Sequence, residues 1–409
     1  MVNLFILLIV SSYILLKIIL DIHQIHYIKN AKASKEELDD FSINDEYFRK
    51  SNLYNIDKLI LSIIGVTISG ILIIYFIYLG GISSFGTIAS HINFLDLDSE
   101  LFNIVSFFIL LTIINIPISL YRTFYIEEKY GFNKNSFKLF LKDILLSTLI
   151  TVIIISILFG AFDLLFTNYP QSWWLYIWMV YIIFNIFILY AFPTLIAPMF
   201  NNFEKLSDSN VVSVINELAE KTKFNISDVY VMDGSKRSTH SNAYFTGFYK
   251  SKRIVFFDTL LSMLTPKEIQ SVLAHEIGHY KKKHITKSIM MSFALSLLGF
   301  YMIYEITSYH SLFFQLGINP NSTSEIVMFF SLLLPCILFF LNPIFSSFSR
   351  KNEFEADNYA KEFSNKRDLI SSLKKLYKEN LTLLKTSPIY SRVYNSHPTV
   401  FERINNLEL

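Results

Sequence analysis

Seven apolar runs divide this chain, at about 3 to 21, 59 to 80, 102 to 121, 144 to 166, 173 to 196, 288 to 307 and 326 to 347. Crossing a hydrocarbon core of about 30 Å takes about 20 helical residues, and each run is long enough. In lipid every backbone N–H and C=O has to be satisfied within the segment, so each run is predicted to be a helix. The composition agrees: 52% of the 409 residues are hydrophobic and 17% charged, which excludes an ordinary soluble enzyme. The fold class read from this is a mainly α, polytopic membrane protein with seven transmembrane helices. The first run is too long for the apolar part of a signal peptide, opens with Met-Val-Asn and meets no small-residue cleavage site, so it is expected to be a retained span.

The loops give the topology. After spans 1, 3, 5 and 7 they are rich in Lys and Arg, among them Lys29, Lys32, Lys35, Arg49, Lys50, Arg122, Lys129, Lys134, Lys138, Arg350 and Lys351. Residues 81 to 101, 167 to 172 and 308 to 325 contain neither. By the positive-inside rule the N-terminus is expected outside and the segments after spans 5 and 7 in the cytosol. The expected organisation is residues 1–198 as helices 1–5 with cytosolic loops 22–58 and 122–143, then 199–287 as a cytosolic segment. Residues 288–348 supply helices 6 and 7, and 349–409 form a cytosolic C-terminal segment. Within the spans, Lys17 is the one strong charge of the first helix and is expected to snorkel or pair inside the bundle. Pro117, Pro193 and Pro335 are expected to kink their helices. Asn185 and Asn342 are candidates for a polar interior. A net charge of +2 gives no reason to expect a nucleic-acid partner, and the single Cys336 excludes an intramolecular disulfide and a thiol pair for a metal.

The cytosolic segment 199–287 contains His-Glu-x-x-His at His275, Glu276 and His279. Residues four apart on a helix lie one above the other, so the two imidazoles can share one metal ion with Glu276 beside it as a general base. Thr265, Pro266 and Glu268 read as a capping box with proline at the first helical position, and Ile269, Val272, Leu273 and Ile277 form an apolar stripe. Upstream, Val211 to Leu218 has helical spacing, and Asp228 to Asp233 and Ile254 to Phe257 read as strands. Asn242 to Phe248 and the basic turn Lys250 to Arg253 lie between these strands. The expected layout is a small α+β zincin-type unit in which an exposed edge strand can hold an extended peptide. The turn and Lys281 to Lys283 are expected to face lipid headgroups.

Two histidines leave a metal short of protein ligands. Directly after span 7, Glu353 and Asp357 share one helical face, with Glu355 pointing almost oppositely. Glu353 is the expected third ligand and Asp357 an acceptor orienting a ligand histidine. His23, His26, His91, His240, His284 and His310 have no partner spacing and are read as surface or interface residues. His397 opens a C-terminal helix on the same side as the metal motif, where it is a candidate to steady an oxyanion, and Arg403 to meet a peptide carboxylate.

Over nearly its full length the chain resembles the type I CAAX prenyl proteases. The resemblance is carried by Glu127 to Lys134, Pro193, Ala197 to Asn201, Ser241 to Tyr244, Phe257 to Leu261, the His275 helix, Glu353 with Asp357, and His397-Pro398 with Arg403. It implies one Zn2+ per chain on His275, His279 and Glu353, Glu276 as base and Asp357 behind the ligands. It also implies Asn242 on the substrate backbone with Ala243 and Tyr244 alongside, His397 and Arg403 at the transition state, and helices enclosing a water-filled chamber. The implied substrate is a lipid-modified or membrane-associated peptide cut after a prenylated cysteine, or an a-factor-like peptide, at a membrane whose lipids surround the bundle. The Ile, Lys and Asn richness favours a bacterial inner membrane, with the endoplasmic reticulum the expectation for a eukaryotic source. The other readings are a heat-shock-type quality-control zinc protease and a non-catalytic scaffold stabilised by zinc.

Overall fold

The computed structural model describes residues 2–93, 98–225, 228–246 and 253–409. In chain order the longer helices are α1 (Val2–Asn30), α2 (Asp45–Tyr78), α3 (Ser99–Tyr121), α4 (Phe137–Asn168) and α5 (Trp173–Ala191). They are followed by α6 (Ser209–Thr222), α7 (Pro266–Lys281), α8 (His284–Thr307), α9 (Thr323–Phe339), α10 (Asn342–Phe363), α11 (Lys366–Glu379) and α12 (Val400–Glu408). Among the described residues, six helical stretches, built on α1 to α5 and α8, are long and apolar enough to cross a membrane. Their outer faces leave Leu145, Ile157, Ile183 and Met290 exposed, as lipid requires. Inside the bundle Ile77, Phe107, Phe313, Phe329 and Cys336 form a buried core.

The helices are longer than the apolar runs that announced them. Asn44 caps α2, its Oδ1 accepting from the Tyr47 N–H at 2.8 Å. The helix therefore rises about 20 Å before its apolar run begins. The seventh run is not one straight span. α9 and α10 meet at a 57° bend and together are long and apolar enough for one broken span or a re-entrant loop. Proline supplies the reason: Pro335 sits inside α9, and Pro343, lacking an N–H, opens a new helix rather than continuing the old one. At the other expected kinks, a π-helical stretch follows Pro117 at Arg122–Glu127 and another contains Pro193 at Phe192–Ile196.

Against one end of the bundle lies a mixed sheet of β1 (Phe203–Lys205), β2 (Asp228–Met232), β3 (Ala243–Thr246) and β4 (Arg253–Phe257), in the order β1-β2-β4-β3. β2 and β4 are parallel, and the outer pairs are antiparallel. β1 is too short to show the alternation by which sequence reveals a strand. The basic turn expected at Lys250 to Arg253 lies outside the described residues except for Arg253, and so do Gly247 and Phe248. The core under this sheet draws on Phe41 and Phe48, on Leu218, Phe256, Leu273 and Ile277, and on Leu369 and Leu407. Residues far apart in the chain thus build one protease layer.

Two clasps tie that layer to the bundle. Arg237 grips Asp143 of α4 through Nε and Nη2 at 2.7 and 2.9 Å, and donates to the Phe200 carbonyl and to Asn201. The loop after the Arg122–Glu127 stretch pairs with it: the Lys134 N–H donates to the Arg237 carbonyl, and the Thr239 N–H to that of Phe132.

The tightest approach in the layer is between α7 and α10. A Cβ added at Gly278 would stand 3.0 Å from the Ala356 Cα and 3.1 Å from its carbonyl oxygen. Replacing Gly in a helix with Ala ordinarily gains about 1 kcal/mol. Here overpacking against backbone costs about 1–3 kcal/mol, and α10 has to move to relieve it. Gly278→Ala is therefore expected to lower the thermal midpoint of the solubilised protein and Gly278→Val to lower it further, as scanning calorimetry will measure.

Candidate active site

The capping box forms as its residues require. Thr265 Oγ1 accepts from the Glu268 N–H, and the Glu268 carboxylate accepts from the Thr265 N–H at 2.8 Å. That carboxylate also takes Ser371 Oγ and Lys375 Nζ of α11, at 2.6 and 2.7 Å. The helix that carries the histidines thus begins at a fixed point. Ile269, Leu273 and Ile277 bury its apolar stripe completely, which turns His275 and His279 toward α10.

There the two imidazoles meet Glu353, with one ligand atom from each within 4.8 Å of the others. His275 Nε2 and His279 Nε2 are 3.1 Å apart. Glu353 Oε2 lies 3.4 Å from the first, and Glu353 Oε1 lies 3.3 Å from the second. A tetrahedral ion with bonds of about 2.0–2.1 Å has ligand atoms about 3.3–3.4 Å apart; the imidazole pair is close to that spacing, and the Glu353 carboxylate straddles it with one oxygen toward each ring. Glu353 Oε2 is also buried without a hydrogen-bond partner, a costly state for a carboxylate oxygen that a cation relieves. The residues present fit a divalent metal.

Each histidine is held from behind. On one side His275 Nδ1 donates to Asp357 Oδ1 at 2.9 Å, and Asp357, fully buried, is gripped by Arg403 through Nε at 2.9 Å and Nη2 at 2.6 Å. Both contacts commit the guanidinium to the protein, leaving Nη1 directed at Glu353 Oε2, 3.7 Å away. On the other side His279 Nδ1 is 3.0 Å from His284 Nδ1, and His284 Nε2 is 3.1 Å from Glu355 Oε2. The ionised Glu355 only accepts, so His284 Nε2 carries the proton. In neutral His284, Nδ1 then accepts from the His279 Nδ1–H, which leaves His279 Nε2 bare for a metal.

This second chain corrects the expectation that His284 is a bland surface or interface residue. It is 3% exposed and touches a candidate ligand. No helical spacing reveals it, because α7 ends at Lys281 and the chain turns through Lys283 in the left-handed region, φ +58°, before α8 begins. Glu355, off the face shared by Glu353 and Asp357, finds its partner on that new helix. His240 is likewise no isolated side chain: it stacks on Phe132 and bridges Glu127 Oε2, at 3.3 Å, to Asn380 Oδ1, at 3.0 Å.

The other expected site residues fall as follows. Glu276 is half-buried on α7 between the two histidines. His397 is exposed on the segment before α12, its Nε2 3.4 Å from Glu353 Oε1. Asn242 is exposed just ahead of β3, with its carbonyl accepting from the Phe257 N–H at 3.0 Å. Ala243 and Tyr244 begin β3, which the strand order puts at the sheet edge, and Tyr244 packs edge-to-face on Phe257.

Two outcomes follow. His284→Ala removes the acceptor that fixes the His279 tautomer and is expected to weaken metal binding about 10- to 100-fold, read by chelator competition. Burial alone would lower the His275 pKa, but the Asp357 and Glu353 carboxylates raise it to about 9 in the metal-free protein. A metal needs the neutral ring. Binding near pH 7 should therefore release a proton from Nε2, and affinity should climb about tenfold per pH unit up to about pH 9. Titration in weak buffer with a pH indicator measures that proton.

Comparison with known proteins agrees with the fold and with a metallopeptidase. Residues 24–202 match a family model described as CAAX prenyl protease N-terminal, five membrane helices, and residues 205–409 match Peptidase family M48. CAAX prenyl protease 1 of Saccharomyces cerevisiae is 36% identical over 341 residues, covering 79% of this chain and 73% of the relative. The CAAX prenyl protease 1 homolog of Arabidopsis thaliana is 32% identical over 379 residues, covering 90% and 88%. The crystal structure of S. mikatae Ste24p superposes with a TM-score of 0.88 at 31% identity over 98% of both chains. The chain belongs to peptidase family M48, in its CAAX prenyl protease 1 group, and is a multi-pass membrane metalloendopeptidase.

Proposed function

We propose that this enzyme uses zinc to hydrolyse the peptide tail that follows a prenylated cysteine, or a similar lipid-bearing peptide. The observation that carries the reading is the convergence of His275, His279 and Glu353 into one group of facing ligand atoms, beside the Glu276 of the same helix. Held by those three side chains, zinc supplies a Lewis acid that makes water nucleophilic near neutral pH and polarises the scissile carbonyl. Glu276 takes the proton of the attacking water on a carboxylate oxygen and gives it to the leaving amine. Asn242, Ala243 and Tyr244 hold the substrate backbone along the free edge of β3. His397, exposed and 3.4 Å from Glu353, donates to the developing oxyanion. Arg403, engaged with Asp357, acts chiefly by fixing the His275 ring, with Nη1 left for the transition state.

Three ligands with a retained base favour an open position over the four-ligand closure of a structural site, which argues against a scaffold. The Lys- and Arg-bearing loops favour a cytosolic active side. The yeast and plant relatives favour the endoplasmic reticulum membrane over a bacterial inner membrane.

The test is mass spectrometry of products from matched prenylated and unprenylated tail peptides. Wild type should cleave the prenylated peptide after the cysteine, while Glu276→Gln keeps its zinc and loses about 10²- to 10⁴-fold in kcat. Full activity in Glu276→Gln removes the mechanism. Equal cleavage of the two peptides turns the reading toward the quality-control type.

A further inference from the structure

Two cavities inside the molecule share a wall, and the charges on it have no part in the chemistry above. The first, about 370 Å³, touches Asn395 and Thr399 on either side of His397 and is bounded by Leu59, Leu383 and Tyr390. It also touches Tyr377, whose hydroxyl lies in the electrostatic field of Arg403 and Glu353. The second, about 360 Å³, lies between α1, α2 and α3. Lys58 and Ser62 line both, so the two cavities adjoin. The second cavity adds Lys17 and Arg122 to Lys58.

Three cations lining one cavity beside apolar spans are costly unless anions answer them. Two carboxylates answer these three cations only in part, Asp21 facing Lys17, and Glu127 facing Lys58 and Arg122. Asp21 accepts from Ser62 Oγ at 2.8 Å, and Glu127 takes the Tyr54 hydroxyl at 3.0 Å and His240 at 3.3 Å, with Arg122 no nearer than 4.0 Å. Lys17 and Lys58 rest over the rings of Tyr13 and Tyr54, at 5.6 and 4.7 Å. Positive charge is left in surplus. A separate cavity that touches His279 and His284 has Leu189, Ile285 and Ile289 on its walls and no Lys or Arg among its lining residues.

We infer that Lys17, Lys58 and Arg122 hold the C-terminal carboxylate of the peptide tail being cut. The inference rests on the proposed function and adds how the tail is read. The dimensions close: three extended residues reach about 10 Å, and a rounded space of 370 Å³ is about 9 Å across. A scissile bond beside His397 therefore brings the carboxylate to the shared wall where Lys58 stands. The apolar tail side chains lie against Leu59, Leu383 and Tyr390 on the way.

The experiment compares two prenylated tail peptides, identical except that one ends in a free carboxylate and the other in a carboxamide. They are assayed in nanodiscs of zwitterionic lipid, with and without added anionic lipid. Wild type should favour the acid by about 10- to 100-fold in kcat/KM, the worth of hydrogen bonds to a charged group. Lys17→Met and Arg122→Gln should each bring the acid-to-amide ratio toward one, and Lys17→Arg should keep it. Equal rates for the two peptides in wild type overturn the inference while leaving the proposed function standing. Variants that slow both peptides in proportion overturn it as well, since that is a structural effect. A ratio that stays intact while dependence on anionic lipid disappears gives the cluster to a lipid headgroup instead. Cleavage of neither peptide by wild type takes down the proposed function and this inference together.

Discussion

The close approach of α7 and α10 is the contact on which the active site depends. Two of the candidate ligands stand on one helix and the third on the other, so the space between Glu353 and the imidazoles is set by how near the backbones come. Gly278 sets it, with the buried Ala356 opposite. Both residues lie inside the motifs that carry the ligands. The pattern that supplies the chemistry therefore also supplies the room for it. Pro343 contributes from the other direction, since the bend it opens takes α10 out of the bundle and lays it along α7.

Around that contact the buried charges are unequal without a metal. Glu353 and Asp357 are nearly inaccessible carboxylates against one nearly inaccessible cation, Arg403, a net negative charge that a divalent ion would offset. Removing one member of such a set leaves an uncompensated charge in low dielectric, which costs more than a surface pair is worth. The two chains behind the ligands differ in kind. Arg403–Asp357–His275 is charged and buried, whereas Glu355–His284–His279 reaches outward, with its carboxylate about one-third exposed. Each ends at an Nε2 aimed at the same point, that of His279 bare and that of His275 giving up its proton when a metal binds.

The protease layer keeps its place on the bundle through directional contacts as well as buried apolar clusters such as Ile28, Ile56 and Leu59 with Leu383. Arg237 locks to Asp143 in bidentate fashion, and His240 joins Glu127, at the end of the π-helical stretch after α3, to Asn380 after α11. β3 follows His240 by three residues. The edge proposed to hold a peptide is therefore positioned from the membrane side as well as from the sheet. The π-helical turn at Arg122–Glu127 aims Glu127 into this junction.

The sequence alone determined what local chemistry controls. Hydrophobic length specifies the spans because lipid tolerates only self-satisfied backbone, and the capping box with its apolar stripe specifies α7. The spacing of His275, His279, Glu353 and Asp357 was legible because each pair lies on a single helix. The tertiary structure decided whatever joins elements that the chain keeps apart. His284 comes behind His279 through a left-handed turn, and Arg403 closes on Asp357 from 46 residues away. β1 exists only because β2 offers it an edge, and the seventh span breaks only where two prolines and a new packing partner coincide. Periodicity reports which face of an element is apolar. It carries no information on which other element that face will meet, and the charges behind the ligands are set by that meeting.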